Sequence, residues 1–375
     1  SHIATLVSLA KQSLVGFLTR IDDRSVWHGI GEHHSVFEDL PQSVDPEDII
    51  KWSTECLKLS NENTGTVDFD DMIYLPLLLK CRFWTYDVIF VDEAQDTNAA
   101  RRALVRASLR KGGKVIAVGD RHQAIYGFTG ADADALDLIK QDFNAEELPL
   151  SVSFRCGTSI IEHAQQWVPH IQAPAGAPVG SVEEMEQELI DWAAAGPDDV
   201  VLCRNNKPLV KLAYSLIRQG IPCYIEGRDV GEVLIKLATK WKITELDQLE
   251  ERLEGYRERE TAKALAKKNE DWAQQIEDRV DTVLIFMDRV RAKGLYTIEA
   301  LVADIQALFG DTKPGERPSC LTLSSIHKSK GREWETVYWY DKEGTLPSRW
   351  ARQDWQLGQE DNLCYVATTR AISSL

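Results

Sequence analysis

Cysteine is sparse and unpatterned in this chain: seven residues, at 56, 81, 156, 203, 223, 320 and 364, odd in number and without a CxxC pair. That pattern excludes a disulfide framework and a cysteine-based zinc site, and fits a reducing cytosol. No uncharged apolar run approaches the ~20 residues that a membrane span requires, and the N-terminus has no signal-peptide layout. Neither a membrane nor an export route is therefore expected. Also missing is any G-x-x-x-x-G-K-[ST]; the only GGK, at 112–114, runs into a strand pattern and lacks a phosphate-cradling loop. Basic residues are the minority, 43 Lys and Arg against 59 Asp and Glu, for a net charge of −16. The bulk charge argues against a nucleic-acid partner, but a phosphate backbone is gripped by a local groove rather than by the overall sum. The chain opens Ser1-His2 without a methionine, so a fragment is expected.

What is present is an ordinary globular composition, 43% hydrophobic and 27% charged over 375 residues, with room for two or three domains. The most informative stretch is Tyr86–Asp96, YDVIFVDEAQD. Val88 to Val91 form a short apolar, β-branched run, the pattern of a parallel strand covered on both faces. Asp92 and Glu93 follow without a spacer, at the carboxyl end where open α/β sheets place their ligand crevice. There Asp92 could hold Mg²⁺ and Glu93 could orient or deprotonate a water for phosphate hydrolysis. Taken alone, the dipeptide reads sooner as a solvated turn.

Residues 1–66 predict helices joined by polar loops, with Leu6, Leu9 and Leu14 on one and Ile49, Ile50, Trp52 and Leu57 on another. His28, His33 and His34 lie between them; the spacing suits a solvated loop better than a metal site. DFDDMIYLPLLLK (68–80) predicts an acid-led helix. Asn98–Lys111 predicts a basic helix ended by Gly112-Gly113, and Lys114–Val118 the next strand. That strand runs into GDRHQAIYGFTGAD, where Gln123 could sense a γ-phosphate. Tyr126 and Phe128, beside glycines, could stack on unpaired bases or equally belong to a core. Arg155 follows a strand in LPLSVSFRCGT, and a βαβ order over 199–224 implies a second parallel sheet. Between about 231 and 310 the texture is helical only. Leu246, Leu249, Leu253 and Tyr256, then Trp272, Ile276, Val280, Val283, Met287 and Val290, predict an amphipathic insertion with its own small core. It could also offer a coiled-coil face to a protein partner, although Gly255 and the polar run 257–263 interrupt the heptads. Beyond 318, His327, Lys328, Lys330 and Arg332 cluster ahead of a strand at 335–340, and NLCYVATTRA (362–371) predicts a short helix presenting Arg370. An arginine delivered from one domain to a nucleotide on another is what a transition-state finger requires.

The order of these motifs resembles the UvrD/Rep-type superfamily 1 DNA helicases from about Asp68 to Ala371. IFVDEAQD is similar to the family's motif II, VGDRHQAIYGFTGAD to motif III, SFRC to motif IV, SSIHKSKGREW to motif V and NLCYVATTRA to motif VI. The resemblance implies ATP and Mg²⁺ as cofactors and single-stranded or partly duplex DNA as partner, with 3′ to 5′ movement. It also implies roles. Asp92 would coordinate Mg²⁺, Glu93 activate the water and Gln123 contact the γ-phosphate, with Arg155 and Arg370 neutralising the transferring group. Phe154 would stack on adenine, Glu333 would hold the ribose, Tyr126 and Phe128 would stack on bases, and His327 and Lys330 would act at the DNA face. Thr129 stands where the family usually has Arg.

The expected fold is α/β: two RecA-like parallel-sheet domains, the first incomplete, with helical insertions. Residues 1–67 would belong to an insertion in the first domain, 68–147 to that domain, 148–230 and 311–375 to the second, and 231–310 to a helical subdomain. Without a phosphate loop the chain alone would be inactive. A non-catalytic DNA-binding or protein-interaction module on a helicase scaffold is the alternative, and a helicase-like subunit of a nuclease complex a more distant one, with no nuclease constellation in view.

Overall fold

Two compact units account for the chain, Ser1–Leu150 with Arg352–Asn362, and Ser151–Ala351 with Leu363–Leu375. The computed structural model describes residues 2–37, 40, 44–127, 130–132, 134–226, 228–266, 270–310, 319–348, 351 and 353–375. No helix among them is long and apolar enough to cross a membrane.

The first unit begins with helices α1 (His2–Gln12), α2 (Arg24–His33), α3 (Pro46–Glu62) and α4 (Asp71–Leu78). Two starts are written in the sequence: Asp23 accepts Ser25 N–H at 3.1 Å, and Asp45 accepts Glu47 N–H at 2.9 Å with Pro46 opening α3. Their apolar faces meet in one core around Leu6, Leu9, Leu14, Trp27, Ile50, Leu57 and Tyr74. The α2 helix is a correction, because the sequence predicts a loop there. His28 and His33 lie on α2, and His34 just beyond it.

The acid-led helix starts later than expected. Asp68 lies outside α4 and caps it: Asp71 N–H donates to Asp68 Oδ1 at 2.9 Å, while Asp68 N–H donates back to Asp71 Oδ2 at 3.1 Å. Lys11, 1% exposed, reaches both carboxylates at 2.8 and 2.7 Å. Burial alone would lower the Lys11 pKa, but the two acids outweigh it and the net shift is upward.

Strand β1 (Tyr86–Val91) pairs in parallel with β2 (Leu109–Ala117) across helix α5 (Ala99–Ser108), with Val88 opposite Lys114 and Val91 opposite Ala117. Two expectations fail here. Gly112-Gly113 does not end the helix but sits inside β2, at the irregularity between the Tyr86 and Val88 pairings. A side chain at Gly113 would press on the Asp87 and Arg110 carbonyls, and Gly112 has φ +81°, so glycine suits this bulge. Nor is β1 covered on both faces: Phe90 is 74% exposed, and Val88 and Ile116 are exposed too. The sheet formed by the described residues has two strands, too narrow to bury its own faces. Helix α6 (Ala135–Phe143) completes this stretch.

The second unit begins with helix α7 (Thr158–Ala164), followed by β3 (Asp199–Cys203), α8 (Asn206–Arg218), β4 (Cys223–Glu226) and α9 (Arg228–Ala238). Next come α10 (Leu246–Ala266), α11 (Glu270–Ala292), α12 (Ile298–Leu308), β5 (Phe309–Gly310), β6 (Leu321–Ser325), β7 (Trp334–Trp339) and α13 (Lys342–Thr345). Helix α14 (Asp354–Thr368) begins in residues assigned to the first unit and ends in the second, ahead of β8 (Ala371–Ser374). The sheet order is β5-β4-β6-β3-β7-β8, with every neighbouring pair parallel. Val201 faces Leu323 and Tyr338 across the central strands. The sheet-and-crossover prediction thus matches, but most of the insertion's predicted apolar residues share a core with the sheet; Ile276 is buried apart, against Tyr256, and the Trp272 side chain lies outside the described residues. Leu246, Leu249, Leu253, Val280, Val283, Met287 and Val290 join Val201, Leu216, Ile225 and Leu323 in one apolar cluster. The fold class is α/β, two parallel-sheet units with helical insertions.

Candidate functional site

In the first unit the chemistry gathers where β1 ends. Asp92 and Glu93 leave the strand exposed to solvent, and Asp92 Oδ1 accepts Glu93 N–H at 2.9 Å. Glu93 has left-handed backbone, φ +49° and ψ +43°, which costs about 1–2 kcal/mol in a non-glycine residue. The turn survives because it is clamped on both sides: Ala94 N–H donates to Val118 O at 2.9 Å and Val118 N–H to Val91 O at 2.8 Å.

A continuous hydrogen-bond chain leads away from Glu93. Gln95, 2% exposed, donates Nε2 to Glu93 Oε2 at 2.5 Å and accepts Asp120 N–H on Oε1 at 3.1 Å. Asp120 Oδ2 in turn accepts Gln123 Nε2 at 2.9 Å, and its Oδ1 caps the short 3₁₀ turn Arg121–Gln123 by accepting His122 N–H at 2.9 Å. The acid after the first strand and the glutamine after the second are therefore joined by two intermediaries. A side chain on Gly119 would sit 2.5 Å from Gln95 Oε1, so this position keeps the passage open. Tyr126 is half-buried, and burial, then the Asp96 and Glu93 charges, raise its pKa. Phe128 lies outside the described residues.

A separate cationic cluster forms in the second unit, at the amino ends of β7 and β8. Glu333 and Arg370 immediately precede those strands. Arg155 donates Nε to Glu333 Oε2 at 2.6 Å and Nη1 to Thr369 O at 3.3 Å. Arg370, 1% exposed, is held by backbone carbonyls, Nε on Val366 O and Nη1 on Arg332 O, both at 3.2 Å. Burial first, and then the charge of Arg155, push its pKa down to about 10, which leaves it cationic at neutral pH. Phe154 is 84% exposed beside this cluster in sequence. The sequence expects Arg370 on a short helix beginning near 362; the helix instead runs from Asp354, and Arg370 follows its end.

At the opposite edge of this sheet, β6 runs into the turn that bears His327 and Lys330, both half-buried. Buried Glu226, at the end of β4, fixes the turn. It pairs with Arg332, accepts Ser324 Oγ at 2.5 Å, and its carbonyl lies 3.5 Å from Lys328 Nζ.

Two contributors escape the sequence reading. Gln95 has no signal beyond neighbouring recognised residues, and Glu226 is distant in sequence from the turn it holds, whereas Asp120 stands with Gln123 at the strand's polar carboxyl edge in the sequence too. Among the described residues no group of three or more His, Cys, Asp or Glu could bind a metal unaided. A single carboxylate nevertheless suits Mg²⁺, which keeps several waters and takes one or two carboxylates together with substrate phosphates.

Comparison with known proteins identifies the family. Residues 34–144 match the UvrD/REP helicase N-terminal domain, and residues 234–375 the UvrD-like helicase C-terminal domain. DNA helicase II of Haemophilus influenzae is 22% identical over 428 residues, covering 84% of this chain and 59% of that protein. The ATP-dependent DNA helicase Rep of Escherichia coli is 34% identical over 155 residues, 38% of this chain and 21% of its own length. The ATP-dependent DNA helicase PcrA of Leuconostoc citreum is 31% identical over 118 residues, 29% of this chain and 16% of its own. The chain thus matches less than two thirds of the length of each of these relatives. With the N-terminal and C-terminal domain matches falling in order along an α/β chain, this chain belongs to the UvrD/Rep-type superfamily 1 helicases.

Proposed function

We propose that this chain supplies the hydrolytic acids and the strand-gripping surfaces of an ATP-driven translocase that moves 3′ to 5′ on single-stranded DNA and opens duplex ahead of it. The observation that carries the proposal is the chain Glu93–Gln95–Asp120–Gln123, which links a water-activating acid to a residue suited to sensing the γ-phosphate. In this reading residues 68–147 form the first motor domain with 1–67 in its insertion, and 148–230 with 311–375 form the second, from which 231–310 projects as a helical subdomain.

Bound ATP with Mg²⁺ supplies the phosphoanhydride and the charge neutralisation that its cleavage needs. Asp92 offers the cation a carboxylate oxygen. Glu93 takes a proton from the attacking water, and the Gln95 amide keeps its carboxylate turned to that task. Gln123 contacts the terminal phosphate and passes its loss to the strand-binding loop. Arg370 and Arg155 offset charge on the transferring phosphoryl group, while the exposed Phe154 ring lies against adenine and Glu333 accepts a ribose hydroxyl. Tyr126 and Phe128 stack on successive bases, and His327 and Lys330 hold the strand from the second unit. No G-x-x-x-x-G-K-[ST] occurs in the chain, so by itself it should turn ATP over slowly.

The test is strand-stimulated ATP hydrolysis and unwinding by the natural gene product against its Glu93→Gln variant. A loss of about a hundredfold or more is expected. Wild-type inactivity, or equal rates in the two proteins, would favour a non-catalytic DNA-binding module instead. Salt-sensitive single-strand binding that weakens in Phe128→Ala would support the stacking role.

A further inference from the structure

The turn that carries Gln123 is gripped by side chains more than two hundred residues away in sequence. Asn362, in the part of α14 that belongs to the first unit, donates Nδ2 to the Arg121 carbonyl at 3.2 Å and to the Ala124 carbonyl at 2.9 Å. These two carbonyls bracket Gln123. One turn earlier on the same helix, Gln359 Oε1 accepts Gly127 N–H at 3.3 Å. The approach is close: a side chain at Gly127 would overlap the Gln359 amide and come within 2.7 Å of the Trp355 ring. Glycine is what lets the backbone lie against this helix face.

The gripping segment is anchored independently of the turn. Gln353 Nε2 donates to Glu32 O at 2.8 Å and Ser35 Oγ at 3.1 Å, and Trp355 Nε1 donates to His33 O at 3.1 Å. The Trp355 ring also stacks on His33, with centroids 5.1 Å apart and 21° between planes. The grip on Gln123 is thus taken from a fixed support. A 3₁₀ turn of three residues has almost no internal hydrogen bonding to hold its shape, so outside donors to its carbonyls decide where its side chains point. The helix carrying Asn362 continues without interruption to Thr368, and Arg370 follows two residues later.

We propose that Asn362, aided by Gln359, is a positioning residue that registers the Gln123 turn, so that the sensing glutamine is set by the same helix that leads to Arg370. This rests on the sensing role proposed above for Gln123. A mere surface brace would stabilise the fold without affecting turnover; a registering contact alters the stimulated rate while leaving ATP affinity in place.

Asn362→Asp keeps the side-chain shape and replaces the donor by an acceptor facing two carbonyls. In this chain, amide exchange across Gln123–Gly127 should accelerate about tenfold, the equivalent of one or two lost hydrogen bonds. Asp361→Asn, at the exposed position next to Asn362 on the same helix, should leave that exchange unchanged. In the natural gene product, Asn362→Asp should lower strand-stimulated kcat about tenfold and keep KM for ATP within about twofold. Unchanged exchange in Asn362→Asp overturns the clasp. Faster exchange with an unchanged stimulated kcat overturns its registering role, as does faster exchange spread over the whole first unit. If the wild-type protein shows no strand-stimulated hydrolysis, the motor reading falls, and the exchange comparison alone still decides whether the clasp exists.

Discussion

In the first unit, two strands carry Asp92 and Glu93 at a carboxyl end, in the open, whereas in the second, six strands carry Glu333 and Arg370 at the amino ends of β7 and β8, with Arg370 sealed from solvent. The first arrangement follows the usual rule for open α/β sheets, in which ligands meet the carboxyl ends of strands. The second uses both edges, with the His327–Lys330 turn at the carboxyl end of β6 and the arginines at the opposite edge. The means of support differ as well. The Gln95 amide, itself held by the Asp120 N–H, orients the exposed Glu93, while burial and backbone carbonyls hold the arginine. A carboxylate facing water must be aimed by polar partners that can be removed one at a time; a buried guanidinium is fixed by the fold around it.

That contrast can be broken at several points. The largest effect is expected in the first unit at Lys11→Met, which strands Asp68 and Asp71 without their cation and should lower stability by about 3–5 kcal/mol in urea unfolding. In the second unit, Leu323→Ala at the centre of the buried sheet should cost about 2–5 kcal/mol in the same measurement. Gln95→Leu should cost about 1–3 kcal/mol, because the Asp120 N–H loses its acceptor. Its more telling readout is strand-stimulated turnover, which should fall with Glu93 still present.

A smaller effect is expected from pH. Burial, then the neighbouring His33, push the His34 pKa down to about 4 from 6.5. The unfolded chain therefore binds the proton first, so this stability is fully present above pH 6.5 and is lost as pH falls toward 4. Allowing for the partial exposure of the ring, about 1 kcal/mol should disappear between pH 7.5 and 5, followed through Trp355 fluorescence, and His34→Phe should abolish that dependence. The smallest change is expected at Phe90→Ser, on the open sheet, within about 0.5 kcal/mol. A loss there as large as that at Leu323 would show that the first sheet is covered after all.

How far the sequence reaches follows the same division. Runs of apolar residues and their order revealed the parallel sheets, and short polar junctions pointed to Asp92, Glu93, Gln123, Arg155 and Arg370. Gln95 stayed hidden because its role depends on reaching between two strands, a distance that no spacing along the chain encodes. Gly112-Gly113 looked like a helix stop because glycine ends helices more often than it widens a strand bulge. The periodic leucines of α10 and α11 gave the helices correctly but not their partner, since an apolar stripe is the same whether it meets another helix or a sheet. α2 was lost behind histidines and glycines, which weaken a helical pattern that Trp27 and the Asp23 cap restore in three dimensions.

The left-handed backbone at Glu93 sets folding and chemistry against each other at a single position. Glycine would relax that turn, and the same replacement would delete the carboxylate. Selection for stability alone would therefore erode the very group on which the proposed hydrolysis depends, and stabilised variants of this fold deserve scrutiny first at residue 93.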